Sequence, residues 1–194
     1  MDKERRRWEE RYASGETGSP GTPSLFLKET LHTLPQGRAL DVACGNGRHA
    51  LFLAEHGYRV EAIDQAFGAV SPLRTAAERN RLPIVAVQAN LEHFPLRPER
   101  YEVVVNIRYL QRSLWHSLKT TLRPGGVIVF ETFTTDQQRL GPPNNPAFLL
   151  RSGELRDAFR NFELLEYAEG RFETESGPAY LARMLARRPL HPPE

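Results

Sequence analysis

The sequence predicts an α/β fold with a Rossmann-like, seven-stranded, mostly parallel sheet, an antiparallel edge strand and helices on both faces. Between residues 38 and 133, short apolar segments alternate with helical ones, which is typical of parallel strands joined by crossover helices. After residue 146 this alternation ends. Two later segments, separated by a polar stretch, indicate an antiparallel pair at one edge of the sheet.

The first 36 residues are predicted to form helices that precede the sheet. Trp8 and Tyr12 lie four residues apart in a charged segment, residues 2–13, and would share one helical face. Residues 14–23 are rich in Gly, Ser, Pro and Thr and are predicted to be a linker. Thr22 and Pro23 suit the cap and the first position of the next helix.

The alternating region gives the order of the core elements. Strands are predicted at residues 38–43, 58–63, 84–88, 101–106 and 127–133. Helices are predicted at residues 48–56, 72–80 and 109–122, the second entered at Ser71-Pro72 and the third broken by residues 123–126. A short helix near residues 153–159 comes before the closing pair, residues 162–167 and 179–187. The loop at residues 141–146 is either a lid or a rigid connection.

Length and composition indicate a single domain, with N-terminal helices (1–36) covering the site, a core (37–188) and a tail (189–194). The net charge of +2, from 26 basic and 24 acidic residues, is not typical of a nucleic-acid binder. Cys44 is the single cysteine, so no intrachain disulfide is expected. Because no signal peptide or membrane-length apolar run is visible, we expect a cytoplasmic protein that contacts no membrane. The sequence indicates no particular oligomeric state.

Residues 40–47 lie where the first predicted strand meets its helix. Gly45 and Gly47 allow the backbone to approach a ligand closely, and ligands of open α/β sheets lie at such turns. Asp64 ends the second strand, 17 residues after Gly47, where its carboxylate can accept both hydroxyl groups of a ribose. Together these features predict a ligand that contains adenosine.

Two cofactor classes fit this loop. The spacing Gly45-x-Gly47-x-x-Ala50 satisfies the dinucleotide fingerprint and supports an NAD(P)-linked oxidoreductase as an alternative. Asp41 favours S-adenosylmethionine, because a carboxylate there suits an ammonium group and would repel a pyrophosphate. The segment 123–126 before a strand and the antiparallel pair at the chain end also differ from a plain dinucleotide domain.

With these motifs the chain resembles the class I S-adenosylmethionine-dependent methyltransferases over nearly its whole length. The matching stretches are residues 40–47, 60–64, 89–92, 101–106 and 122–126. Within the class it looks most like the small tellurite-resistance methyltransferase branch, on residues 44–48, 153–156 and 184–187. Residues 8–12 also resemble a segment that covers the donor in related enzymes.

The resemblance implies S-adenosylmethionine as donor and S-adenosylhomocysteine as product. The residues that it implies for the donor site are Trp8, Asp41, Ala43, Gly45, Asn46, Gly47, Arg48, Asp64, Gln65, Ala66, Asn90, Leu91 and Asn106. The glycine loop would line the methionine part, Asp64 would hold the ribose, and Asn106 would face the sulfonium. Residues 65, 66, 90 and 91 would surround the adenine.

This chain departs from the family at two positions. Asn90 stands where the family more often has an aspartate, but its amide oxygen can still accept from the adenine amino group. Gly170-Arg171 stands where the tellurite branch has a His-Arg pair. The missing pair and the absence of an evident base keep a second alternative open, a donor-binding protein without catalysis.

Candidates for the acceptor side follow the fourth strand or come from the N-terminal segment: Tyr12, Arg108, Tyr109 and Arg112. An arginine can orient an oxyanion or carboxylate through paired hydrogen bonds, although both arginines also suit a solvated helix start. The expected reaction is an in-line displacement on a small molecule. It needs alignment, and it needs a base only if the acceptor must lose a proton.

Two further residues with reactive side chains are expected to have structural roles. His49 could face the ligand, but a packed or exposed position on the helix is the favoured interpretation, and Cys44 is interpreted as a small packed residue. No His/Cys cluster has ligand spacing, so no metal is expected.

Overall fold

The computed structural model of the protein describes residues 6, 8–10, 12 and 21–191. Its strands are β1 (Arg38–Val42), β2 (Arg59–Asp64), β3 (Ile84–Gln88), β4 (Tyr101–Ile107), β5 (Leu122–Phe133), β6 (Glu163–Thr174) and β7 (Gly177–Arg187). Its α-helices are α1 (Leu25–Thr30), α2 (Arg48–Glu55), α3 (Phe67–Arg79), α4 (Trp115–Thr121) and α5 (Glu154–Ala158). Single 3-10 turns lie at Leu31–Thr33, Arg112–Leu114, Thr135–Arg139 and Pro146–Phe148.

The seven strands form one sheet in the order β3-β2-β1-β4-β5-β7-β6. Strands β1 to β5 run parallel, whereas β7 is antiparallel to both of its neighbours, β5 and β6. The predicted fold class is therefore confirmed. The antiparallel strand is β7, one position in from the edge, and the edge itself is β6.

The central strands are buried on both faces, which explains their nearly continuous apolar sequence. In β4, Val103 and Val105 pack into the cluster formed with α1, α2 and α3, while Val104 packs into the opposite cluster with α4 and α5. The helices thus cover both faces of the sheet. None of the helices within the described part of the chain has the length and apolar character needed to cross a bilayer.

Helix α3 begins five residues earlier than predicted, because the chain turns into it directly after β2. The Glu9 carboxylate accepts the backbone N–H groups of Phe67 at 2.8 Å and Gly68 at 3.3 Å, which satisfies donors that have no partner inside the helix. Pro72 therefore lies within α3, not at its start. The prediction of a start at residue 71–72 was wrong since a distant side chain supplies the cap.

The predicted helix 109–122 is wrong in its first half. Arg108 has a φ of +62°, and Gln111 is extended, so only a 3-10 turn precedes α4. Residues 123–126, predicted to be a break, belong to β5, and so does Leu122, which was predicted to end the helix and pairs with Tyr101. The closing pair is longer than predicted, because the polar residues between the two segments join the β6–β7 ladder.

The N-terminal prediction is described only in part. Residues 6, 8–10 and 12 are helical, while the rest of the predicted helix and most of the linker, residues 13–20, lie outside the described residues. The last three residues of the predicted tail lie outside them as well.

Candidate active site

A cavity of about 500 Å³ opens where β1, β2 and β4 end, which is a size typical of small-molecule sites. Loops after these three strands supply most of its wall, and the N-terminal segment, the loop after β3 and the β6–β7 turn supply the rest. The lining residues are Trp8, Tyr12, Gly21, Ala43, Cys44, Gly45, Asn46, Arg48, His49, Asp64, Gln65, Asn90, Leu91, Ile107, Arg108, Tyr109 and Ser176.

The glycine loop between β1 and α2 is shaped by two close approaches. A Cβ atom at Gly47, which has a φ of +88°, would lie 2.3 Å from Cδ1 of Leu73 on α3. A Cβ atom at Gly45 would lie 2.6 Å from Oη of Tyr12, inside the wall of the cavity. Gly47 therefore allows helix packing, and Gly45 allows the Tyr12 hydroxyl to lie against the loop.

The Asp64 carboxylate connects the end of β2 to this loop. Its Oδ2 accepts the Gly45 N–H at 2.9 Å, and its Oδ1 accepts the Ala66 N–H at 2.9 Å. Burial raises the pKa of Asp64, and these hydrogen bonds oppose that shift. Because each carboxylate oxygen has a second lone pair, Asp64 can still accept hydrogen bonds from a ligand in the cavity.

Asp41 lies behind the loop and is 1% exposed. Burial raises its pKa to about 7, against a hydrogen bond from the Ala50 N–H and the positive charge of Arg48. Within the described residues, its Oδ2 has no hydrogen-bond partner. A buried carboxylate oxygen without a donor is costly, so this atom suits a cationic group of a ligand.

His49, in the first turn of α2, connects Asp41 to the cavity. Its Nδ1 lies 3.9 Å from Oδ1 of Asp41, and the residue is 4% exposed but lines the cavity. Burial, together with the charges of Arg48 and Arg108, lowers its pKa to about 3. The imidazole is therefore neutral at physiological pH.

Two arginines line the cavity, and each of them faces a glutamate. Arg48 forms an ion pair with Glu175 at 2.7 Å and donates to the Thr22 carbonyl. Arg108 lies 3.3 Å from Oε1 of Glu131, and its guanidinium stacks 4.7 Å from the centre of the Phe133 ring. Burial lowers the pKa of Arg108, while the Glu131 charge opposes that shift.

Glu131 is a fully buried carboxylate that contacts two arginines. Besides Arg108, it lies 2.8 Å from Nε of Arg183 and accepts the Ser24 hydroxyl at 3.2 Å. Its backbone oxygen accepts the Arg108 N–H at 2.7 Å. Glu131 therefore fixes both the backbone and the side chain of Arg108. The backbone of Arg108 has a positive φ, which residues other than glycine rarely adopt.

The polar residues after β4 and β3 shape the remaining wall. Asn106 is buried and donates to the Tyr109 carbonyl at 2.7 Å, while the Tyr109 hydroxyl bonds to Gln111. Burial raises the pKa of Tyr109 well above its ordinary value. Asn90 lines the cavity, and its Oδ1 accepts the Glu92 N–H at 3.0 Å.

Most of the residues predicted for the site meet at this cavity, but five do not line it. Asp41, Gly47, Ala66 and Asn106 lie directly behind the lining residues, within the loops that shape it. Arg112 points elsewhere, because its guanidinium binds Glu154 and the carbonyls of Ala147 and Leu149. It supports the loop before α5.

Sequence reasoning did not place Gly21, Ile107 and Ser176 at the cavity. Gly21 and Ser176 come from distant parts of the chain, whereas Ile107 lies between two residues that were predicted for the site. It also set His49 and Cys44 aside as packing residues. The position of His49 could have been predicted from Arg48, because both residues begin the helix that follows the glycine loop. Burial and the nearby carboxylates of Asp41 and Asp64 raise the pKa of the Cys44 thiol well above its ordinary value, so it stays protonated.

Comparison with known proteins identifies relatives of this chain. The family described as "Tellurite resistance protein TehB" matches residues 19–178. Hemagglutinin 1 of Eikenella corrodens is 31% identical over 158 residues, covering 76% of this chain and 51% of the relative. The probable S-adenosyl-L-methionine-dependent methyltransferase TehB of Haemophilus influenzae is 26% identical over 166 residues, covering 78% and 57%.

These curated relatives are longer proteins, and the chain spans about half of their length. A solved structure of TehB from Haemophilus influenzae superposes with a TM-score of 0.69 at 24% identity, covering 84% of this chain and 61% of that one. At that identity, the superposition shows a shared fold.

Proposed function

The chain belongs to the TehB family of tellurite resistance proteins, and from that membership we propose that it transfers the methyl group of S-adenosylmethionine to a small-molecule acceptor. One observation carries the proposal. The cavity carries two sets of charged groups: Asp64 with Asp41 behind the loop, here called the acidic end, and Arg48 and Arg108 with their partners Glu175 and Glu131, here called the basic end. A cationic donor suits the first end and an electron-rich acceptor suits the second.

The acidic end fits the donor. The unpartnered Oδ2 of Asp41 suits an ammonium group, directly or through water, and Asp64 suits ribose hydroxyls. Gly45 and Tyr12, which lie against each other, both line the cavity beside Asp64. The proposed donor-site residues are Trp8, Asp41, Ala43, Gly45, Asn46, Gly47, Arg48, Asp64, Gln65, Ala66, Asn90, Leu91 and Asn106.

The bound donor would supply a methyl group on positively charged sulfur. Because this methyl group is already reactive, its transfer depends mainly on a well-aligned nucleophile. The chain's own contribution would be to hold the acceptor in line and to exclude water. We propose Tyr12, Arg108 and Tyr109 for the acceptor side, since all three line the cavity. Arg112 is left out because its donors are taken by Glu154 and the loop before α5.

The charge of the basic end favours an acceptor that is anionic or becomes so. Oxyanions of tellurium or selenium, thiols, and small phenols or carboxylates all have that property. We also propose that the segment 1–36 covers the site, which the contact of Glu9 with the start of α3 supports. A cytoplasmic location fits the single cysteine.

Turnover tests this function directly. The full chain is incubated with S-adenosylmethionine and a panel of selenite, tellurite, small thiols and small phenols, and S-adenosylhomocysteine is measured. Formation that depends on one acceptor is the expected result, and it would exclude a donor-binding protein without catalysis. No formation above the acceptor-free rate with any member would contradict the proposal.

A further inference from the structure

His49 has an unused hydrogen-bonding atom at the basic end of the cavity. Its Nε2 is buried, and none of the described residues forms a hydrogen bond with it, although the residue lines the cavity. Buried polar atoms in folded proteins nearly always have a partner. An atom of this kind beside an open cavity indicates that a ligand supplies the partner.

The other ring nitrogen faces a carboxylate. Nδ1 lies 3.9 Å from Oδ1 of Asp41, so the tautomer with its proton on Nδ1 is electrostatically favoured. In that tautomer Nε2 carries a lone pair and can only accept. The Asp41–His49 pair therefore holds a buried proton acceptor in a residue that lines the cavity.

The charged groups around His49 keep its ring neutral. They are Asp41 from β1, Arg48 from α2, Arg108 after β4 and Glu175 from the β6–β7 turn, which pairs with Arg48. Burial acts together with the two arginines to lower the pKa of His49. An anionic acceptor beside the arginines, in addition to Glu175 and Glu131, would cancel more of their effect on the ring. The proton affinity of Nε2 would then rise as the acceptor becomes an anion.

We propose that His49 is the general base of the methyl transfer and that the acceptor is a small thiol bound beside Arg48 and Arg108. This inference rests on the proposed function. The thiol S–H bond breaks and its proton goes to Nε2. The sulfur electron pair forms the new bond to the methyl carbon, whose old bond to the donor sulfur breaks with its electrons retained there. The imidazolium afterwards releases its proton to water.

A thiol suits this base better than a hydroxyl group. The base is weak, so it needs an acceptor whose proton is comparatively acidic. The pKa of a cysteine-like thiol is about 8.5, whereas that of a phenol is about 10 and that of an alcohol is far higher. Two guanidinium groups beside the sulfur would favour its thiolate further.

The test compares two thiols that differ in whether they need a base. At neutral pH 3-mercaptopropionate is a protonated alkyl thiol, whereas 4-mercaptobenzoate is largely a thiolate, and both carry a carboxylate. In His49→Gln, kcat/KM should fall about 100-fold for the alkyl thiol and less than about 3-fold for the aryl thiol. His116→Gln, on the exposed face of α4, is the matched control and should change neither.

A second readout does not depend on turnover. With the protein saturated in S-adenosylhomocysteine, ¹⁵N NMR of the histidine rings should show a protonated His49 when 3-mercaptopropionate binds. The thiolate absorbance should appear in the same complex and be absent in His49→Gln. A His49 ring that stays neutral in that complex would overturn the proposal.

The outcomes separate this inference from the proposed function. If the donor binds and kcat/KM of His49→Gln falls by the same factor for both thiols, His49 has a structural role. The inference about His49 then fails, while the proposed function stands. If donor binds but the unaltered protein methylates neither thiol, the thiol class is wrong. If no donor binds, the proposed function itself fails.

Discussion

Asp64 accepts the backbone N–H of Gly45 at 2.9 Å, so the carboxylate at the end of β2 and the glycine loop after β1 form one unit. The sequence suggested these two residues separately, as a ribose contact and as a close backbone approach. The hydrogen bond between them means that a change at Asp64 alters both the ligand contact and the shape of the loop.

Asp64→Ala should therefore weaken donor binding and destabilise the empty protein. Loss of the ribose contact should reduce affinity at least tenfold, about 1.4 kcal/mol. Two backbone N–H groups left without their acceptor should cost about 1–3 kcal/mol of unfolding free energy. Titration calorimetry and denaturant unfolding measure the two effects, with the exposed Asp136→Ala as control. Unchanged affinity would contradict the assignment of Asp64.

Asp41 should make donor binding depend on pH. Its pKa is about 7 in the empty protein, so only a minor fraction is ionised at pH 6 and most of it at pH 8. If the carboxylate holds the donor's ammonium group, affinity should rise about fourfold between those values, because an α-amino group with a pKa of about 7.7–8.0 is itself partly deprotonated at pH 8. In Asp41→Asn the rise should disappear and the affinity should stay low. An affinity that does not change with pH in the unaltered protein would place the ammonium group elsewhere.

The same raised pKa predicts that Asp41→Asn stabilises the empty protein at high pH. The folded state favours the protonated carboxyl group. Ionising Asp41 therefore costs the folded state free energy, and this cost is absent below the ordinary pKa of 3.8 and fully present above about pH 7. Removing it should raise the unfolding free energy at pH 8 by up to about 4 kcal/mol, and by little at pH 4. Denaturant unfolding at the two pH values checks this. Equal effects at both would show that the ionised form is not disfavoured.

The two glycines of the loop should respond differently to alanine. Gly47→Ala places a Cβ against Leu73 at a φ of +88° and should destabilise the protein by about 2–4 kcal/mol. Leu73→Ala should recover part of that loss, which a double-mutant cycle measures. Gly45→Ala instead places its Cβ beside Tyr12 in the cavity wall and should chiefly reduce donor affinity. Additive effects of Gly47→Ala and Leu73→Ala would disprove the contact.

Glu131→Gln should be strongly destabilising, because it leaves the buried guanidinium groups of Arg108 and Arg183 without their shared carboxylate. The expected loss is about 3–5 kcal/mol by thermal or denaturant unfolding. Glu173→Gln, which removes the exposed ion pair with Arg171, is the matched control and should cost less than about 1 kcal/mol. A similar small loss at both positions would show that Glu131 does not hold the two arginines.

Local patterns were enough to predict the parallel core, the glycine loop and the family. The strand that ends at Asp41-Val42, the turn through Gly47 and the carboxylate of Asp64 depend on neighbouring residues, and the structure brings them to one cavity. Family membership, predicted from these motifs, is confirmed by the match to residues 19–178.

The features that sequence reasoning missed depend on contacts between distant residues. Helix α3 starts at Phe67 because Glu9 caps it, and Arg108 adopts its unusual backbone conformation beside Glu131, 23 residues later. The β6–β7 turn carries Glu175 to Arg48 across the cavity. No local periodicity encodes such pairs, so the start of α3 and the glutamate partners of Arg48 and Arg108 could not be predicted.

Titration calorimetry of the full chain with S-adenosylmethionine, S-adenosylhomocysteine and NAD(H) tests the central claim most directly. The cavity with Asp41 behind its loop should bind both sulfur compounds at one site per chain and should give no binding heat with NAD(H). Binding of NAD(H), with no binding of S-adenosylmethionine or S-adenosylhomocysteine, would contradict the claim.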